Sequence, residues 1–259
     1  MYNKNNDFLY KYFPLRKDRD DDLGYIKKVL ENNVLYFSCL KSFNDPFDCC
    51  PVYVQPTSKD RQLLLQRKHS EGYSEADVEK AKNIYDRNKK INLEGFELRM
   101  SQNIHEEIGI CCFSKKPDNL LMWAHYASCH AGVCFEFKRC IEYPFFLEAQ
   151  QVHYRLGRPK VNPLRRNVDG RVDNKTINDI FFSKSSDWKY ESEYRIVNQK
   201  RSPGEEHKFP SQCLSGIIFG AKMEKEHGEV LKEIAIKRKL TIKKAVLDKA
   251  KYQIGLKNI

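Results

Sequence analysis

The chain has 259 residues, 41% of them hydrophobic and 12% aromatic, with 46 basic against 35 acidic side chains for a formal net charge of +11. Such a composition excludes a disordered chain, and no apolar run approaches the roughly 20 residues of a membrane span. The positive surplus favours encounter with polyanions, and the N-terminal MYNKNNDFLYKYF lacks the apolar core of a signal peptide, so a cytoplasmic protein is expected.

Read in chain order, Phe8–Phe13 alternates as a short strand ended by Pro14. Leu23, Ile26, Val29 and Leu30 then fall on one helix face, with Asn32-Asn33 as its stop. VLYFSCL is a β run, and SFNDPFD is a compact turn rich in residues that bond their own backbone. Residues 58–108 change character: long, charged and helical in period, they predict two or three helices inserted between β segments. One of these helices is opened by the capping-box-like Ser74-Glu75-Ala76-Asp77. The β pattern returns with IGICCFS, an unbroken apolar run of the kind found in a sheet covered on both faces. Asp118 or Asn119 caps a helix in LLMWAHYASCH, Gly132 ends it, and VCFEF is a further strand. Residues 174–186 read as a helix, and LSGIIFGA as a buried strand. A helix over about 223–239 and the strand LTIKKAVL close the chain. The sum is one α+β domain over 1–259 with seven to nine short strands and no phosphate-binding glycine loop.

Nine cysteines, an odd number with two adjacent pairs, argue against a disulfide framework. Most sit in apolar strings, where a reduced Cys behaves as a small hydrophobe. His125, Cys129, His130 and Cys134 do not have a usual structural zinc spacing, and no metal is expected. Asn44, Asp45 and Asp48 crowd one turn, where carboxylates more often satisfy backbone donors but can also bind a metal or orient a substrate.

The most informative stretch is SSDWKYESEYRIV. From Tyr190 to Val197 the residues alternate, so Glu191, Glu193 and Arg195 would project from one strand face about 7 Å apart. Trp123, Tyr126 and His130 fall at i, i+3 and i+7 and would share one helix side, an aromatic surface able to stack a planar ring. Tyr10 and Tyr12 share one face of the first strand, with Lys11 on the other.

Together LYKYF, FNDPFD, LMWAHYA and WxYExExR resemble a bacterial family known only as a domain of unknown function. That family in turn remotely resembles the ADP-ribosyltransferases, including toxins that modify DNA. The resemblance implies a split mixed β-sheet core with the 58–108 helices inserted. It also implies NAD as substrate, no metal, and transfer of ADP-ribose to a macromolecular acceptor such as nucleic acid or protein. A toxin or phage-defence role and an antitoxin partner would accompany that activity. By the same resemblance Glu193 is the catalytic glutamate and Glu191 the upstream member of an ExE pair. Ser114 closes the second motif, and Trp123 or Tyr126 stacks nicotinamide. Tyr10 and Lys11 contact the rest of the dinucleotide, and on chemical grounds Arg195 would hold Glu193 ionised or meet the diphosphate. Lys11 stands where such enzymes carry His or Arg, a departure compatible with a changed ligand. Two other readings stay open: a basic nucleic-acid-binding or nuclease-type protein, and a non-catalytic sensor module on the same fold.

Overall fold

The computed structural model describes residues 7–16, 19–87, 92–164, 172–198 and 203–259. In chain order the elements are β1 (Phe8–Phe13), α1 (Asp20–Asn32), β2 (Val34–Phe37), β3 (Val52–Tyr53), α2 (Ser58–Ser70), α3 (Glu75–Arg87) and α4 (Leu93–Glu107). Next come β4 (Gly109–Ser114), α5 (Leu120–Tyr126), β5 (Val133–Lys138), β6 (Gln150–Gln151), β7 (His153–Arg155), β8 (Lys160–Val161), α6 (Asn174–Phe181) and β9 (Ser183–Ser185). The last are β10 (Glu193–Asn198), β11 (Glu205–Lys208), β12 (Leu214–Phe219), α7 (Lys225–Lys237), β13 (Thr241–Leu247) and β14 (Ile254–Asn258). The protein is thus mixed α+β. Its strands outnumber the sequence expectation because several pairs are two to four residues long and carry no alternation to read.

The chain divides into two compact units, one of residues 1–39, 108–152 and 187–259, the other of 40–107 and 153–186. The first is built on a mixed eight-stranded sheet in the order β14-β13-β12-β5-β1-β4-β10-β6. Among the described residues only β12 and β13 run parallel within it. One face carries Leu9, Phe13, Phe113, Phe135, Phe137 and Ile196, packed with residues of α1 and α7 such as Ile26, Leu30, Leu231 and Ala235. On the other face Tyr12, Cys134, Ile218 and Ala245 pack against Met122, Trp123 and Ala127 of α5 and its end. Burial of side chains this large contributes roughly 1.5–3 kcal/mol each, which makes the two layers the main source of the unit's stability.

The sheet has a seam. β1 and β4 share a single registered pair, Tyr10 with Ser114, whereas β1 is registered to β5 along its whole length. Side chains cross where the ladder thins. Lys11 Nζ donates to the Cys112 carbonyl (2.9 Å), the Tyr12 hydroxyl to the Lys116 carbonyl (2.7 Å), and Lys115 Nζ to the Phe8 carbonyl (2.8 Å). Backbone oxygens that a full ladder would have satisfied find donors in this way.

The second unit holds α2, α3 and α4 together with α6 and two parallel strand pairs, β3 with β8 and β7 with β9. Its helices start where their sequences ask them to. Asp60 N donates to Thr57 Oγ1 while Thr57 N returns a bond to Asp60, and Asp77 N donates to the Ser74 hydroxyl. Each arrangement satisfies donors that a helix start leaves open.

Three expectations are corrected. The helix read over 174–186 ends at Phe181, because Ser183–Ser185 pairs with β7. LTIKKAVL is not the last strand: β14 returns antiparallel beside it. The helix after Asn119 stops at Tyr126, since Ser128, Cys129 and His130 all have φ between 45 and 74. Left-handed backbone at three successive residues cannot continue an α-helix. Among the described residues no helix is long and apolar enough to cross a membrane.

Candidate functional site

One row crosses the face that α5 covers. Glu136 on β5, Tyr10 on β1, Ser114 on β4 and Glu193 on β10 are successive Cα partners, so their side chains share that face. Three inter-strand steps place the two glutamates about 14 Å apart along the row. The seam between β1 and β4 runs through its middle.

Glu193 is 4% exposed, and Arg195, two residues on along the same strand, is fully buried. The guanidinium grips both carboxylate oxygens, with Nε to Oε1 at 2.7 Å and an NH2 bond to Oε2 at 2.9 Å. A bidentate pair of this kind is the strongest way to hold a carboxylate ionised away from water. The same pair demands much of its surroundings, because desolvating two charges consumes most of their attraction. Cys112 is the partner of Arg195 across β4. Burial first, and then the charge of Glu193, push its thiol well above the ordinary range.

Glu191 does not lie on that strand. It ends a 3₁₀ helix over Ser186–Glu191, and Ser192, with φ of 46, turns the chain before β10 begins at Glu193. The single alternating face read through Glu191, Glu193 and Arg195 therefore holds for the last two only. Glu191 is nevertheless brought to the same place. It is 3% exposed, accepts the Tyr126 hydroxyl at 2.5 Å, and its carbonyl accepts the Ser114 hydroxyl at 2.6 Å. Asn119 adds a tie between elements: its Oδ1 caps α5 through Leu121 N and Met122 N, and its Nδ2 donates to the Tyr190 carbonyl (3.2 Å). Helix α5 and the 3₁₀ segment are thus fixed together through one side chain, and Tyr126 and Glu191 meet across the junction.

The remaining predicted residues fall elsewhere. Trp123 is fully buried, its indole N–H donates to the Pro117 carbonyl (2.9 Å), and its ring meets Tyr12 edge-on at 5.1 Å. It is core and presents no face for nicotinamide. Lys11 projects from the opposite sheet face, its ammonium over the rings of Phe13 and Phe113 at 5.7 and 5.4 Å. It fills the seam and is not gathered with Glu193. Of the two roles expected of Arg195, the structure shows the pairing with Glu193. His130 lies past the end of α5 in left-handed backbone, so it does not continue the helix side read through Trp123 and Tyr126.

Some members were not foreseen. Glu136, 7% exposed, is ion-paired with Lys243 at 3.0 Å. Together with burial, its charge raises the Tyr10 phenol above its usual range. The signal was present as the one acidic residue inside the apolar run VCFEF. His125, Trp188 and Tyr190 form a partly exposed ring cluster beside Tyr126. The Tyr190 hydroxyl lies 3.1 Å from His125 Nδ1, and the Trp188–Tyr190 centroids are 6.0 Å apart. This cluster supplies the accessible aromatic surface that Trp123 does not. Among the described residues no group of three or more His, Cys, Asp and Glu is placed to hold a metal ion.

The thiols give one direct check on this geometry. Cys129 is exposed, whereas Cys134 is buried and its thiol is pushed up by burial and by Glu136. In native protein at pH 8, iodoacetamide is expected to label Cys129 first and to spare Cys134 and Cys111, both buried, until denaturant is added, as read by peptide mass spectrometry.

A family model described as "Protein of unknown function (DUF2971)" matches residues 122–196, a stretch that runs from Met122 on α5 to Ile196 on β10. It includes Tyr126, Glu191, Glu193 and Arg195 but covers well under half of the chain. No curated protein and no solved structure matches the chain.

Proposed function

We propose that the protein is an ADP-ribosyltransferase-like enzyme that breaks the nicotinamide–ribose bond of NAD and passes ADP-ribose to a macromolecular acceptor, nucleic acid first among the candidates. The observation that supports this reading most is convergence. Ser114, Tyr126, Glu191 and Glu193 come from three separate stretches of sequence and meet within hydrogen-bond or ladder distance, beside the thin pairing of β1 with β4. The thin pairing of the first strand with the strand ending in Phe113-Ser114 is compatible with the split core expected of such enzymes.

The chemistry assigns each group a task. Departure of nicotinamide takes the bond pair with it and leaves an oxocarbenium-like ribose carbon. A carboxylate held ionised near that carbon stabilises charge that exists only in the transition state. Glu193, kept ionised by Arg195, takes this role. Glu191, hydrogen-bonded to Tyr126, accepts the proton that the attacking acceptor releases. The rings of Tyr126, His125 and Tyr190 offer the surface on which a planar leaving group stacks. The net charge of +11 attracts a polyanionic acceptor.

The test is nicotinamide release from NAD with single-stranded DNA, duplex DNA and RNA in separate reactions. Glu193→Gln is expected to lower turnover by about 10²–10³-fold. Glu191→Gln is expected to reduce transfer more than hydrolysis, because hydrolysis can lose its proton to bulk water. Wild-type protein that neither binds nor consumes NAD in any arm would overturn the proposal.

One observation favours a second reading. Both oxygens of Glu193 are engaged by a fully buried arginine, the signature of a structural pair in a sensor module on the same fold. That reading predicts saturable NAD binding with no nicotinamide released.

A further inference from the structure

The turn containing Asp45 and Asp48 lies outside the glutamate cluster and belongs to the other unit, where it borders a cavity of about 610 Å³. That volume is within the range of small-molecule sites, about 300–1,000 Å³. Apolar walls come from Leu40, Phe43, Tyr53 and Leu98. Among the described residues the carboxylates of Asp45, Asp48, Glu94 and Glu97 line it as well, together with Lys41.

Accounting for the charges singles out one carboxylate. Asp48 is ion-paired with the buried Lys184 at 3.5 Å, and Glu97 lies 3.9 Å from Arg158. Asp45 is the buried carboxylate among those that remain, at 6% exposure. Its Oδ1 accepts from Phe47 N (2.9 Å) and so fixes the turn, while its Oδ2 is buried without a hydrogen-bond partner. A buried carboxylate oxygen lacking a donor is costly, and a native fold that keeps one has a use for it. The turn itself is closed by Asp48 N donating to the Asp45 carbonyl (3.2 Å), with Pro46 inside it, and the Phe47 N bond to Oδ1 sets the carboxylate's orientation.

We propose that this cavity binds a small organic cation, an ammonium or guanidinium on an apolar stem, with Asp45 Oδ2 as the acceptor and Phe43, Tyr53 and Leu98 around the stem. A guanidinium suits a carboxylate through charge-assisted hydrogen bonds, and the aromatic faces add cation–π attraction. Among the described residues no group of three or more His, Cys, Asp and Glu is gathered here as a metal site would need.

Agmatine, which has a guanidinium at one end and an ammonium at the other, is the probe, titrated into the full chain by calorimetry. Saturable binding is expected for the wild type, weakened at least tenfold by Asp45→Asn, which keeps the acceptor for Phe47 N while removing the charge. Spermidine and arginine methyl ester, run in parallel, distinguish a polyamine from a basic side chain as the source of the cation. If Asp45→Asn does not fold, Glu94→Gln on the exposed start of α4 replaces it, with a threefold or greater loss expected. No binding of any of the three cations, or binding that neither substitution weakens, overturns the proposal. Equal stabilisation by Mg²⁺ overturns it too, in favour of a metal. Nicotinamide release is measured on the same samples, so failure of this site and failure of the proposed NAD chemistry are read separately.

Discussion

Arg195→Met is expected to destabilise the protein by about 3–5 kcal/mol, the loss that follows when one partner of a buried ion pair is removed. The reason is burial. Glu193 at 4% exposure would keep its charge in a site from which water is excluded, with both oxygens stripped of the guanidinium that now meets them at 2.7 and 2.9 Å. Replacing both partners by apolar residues of similar volume removes the charge together with its counter-charge, so Glu193→Leu with Arg195→Met is expected to recover most of the loss. Urea unfolding of the two singles and the double gives the coupling energy directly. Additive effects would show that the pair does not act as a unit. The same cycle separates stability from chemistry. The double variant should fold and release no nicotinamide, whereas a folded double that still consumed NAD would remove Glu193 from the mechanism.

How much of this was legible beforehand depended on period. Strands with long alternation or solid apolar runs, such as β1, β4, β5 and β12, were readable because burial on a sheet face imposes a period of two or fills both faces. Asn119 was readable as a cap because its side-chain chemistry is local. Glu191 was misplaced for the opposite reason. Its sequence neighbourhood alternates, yet Ser192 takes a left-handed φ of 46, and a backbone turn at a single Ser leaves no periodic trace. Trp123 was misread because spacing gives the side of a helix but not what lies against it, and here Tyr12 and the Pro117 carbonyl do. Glu136 shows the reverse case: one carboxylate in an apolar strand is a local conflict, and such conflicts mark places where a fold accepts a cost for a purpose.

Gly220→Ala is expected to be the most damaging of the small substitutions, costing more than about 4 kcal/mol or preventing folding outright. A Cβ at this position would stand 2.1 Å from the His130 carbonyl oxygen and 2.8 Å from that of Gly132. Both obstacles are backbone, so no rotamer relieves the contact. The two strands meet here because Gly220 N donates to the Gly132 carbonyl (2.9 Å) and Lys222 N to the His130 carbonyl (2.9 Å), which pins the loop that leaves α5. Gly132 is similarly closed in, with a Cβ there only 2.1 Å from the Phe13 carbonyl. Pushing that loop outward moves the end of α5 and with it Tyr126, so a Gly220→Ala protein that survived should also lose the Tyr126–Glu191 bond. Gly24→Ala is the matched control, in the middle of α1 with nothing within 4 Å of its added methyl. It is expected to stabilise by roughly 0.5–1 kcal/mol, since glycine inside a helix forfeits about that much relative to alanine. Equal tolerance of both changes in chemical denaturation would show that the junction beneath α5 is not close-packed, and the positioning of Tyr126 against Glu191 would lose its physical basis.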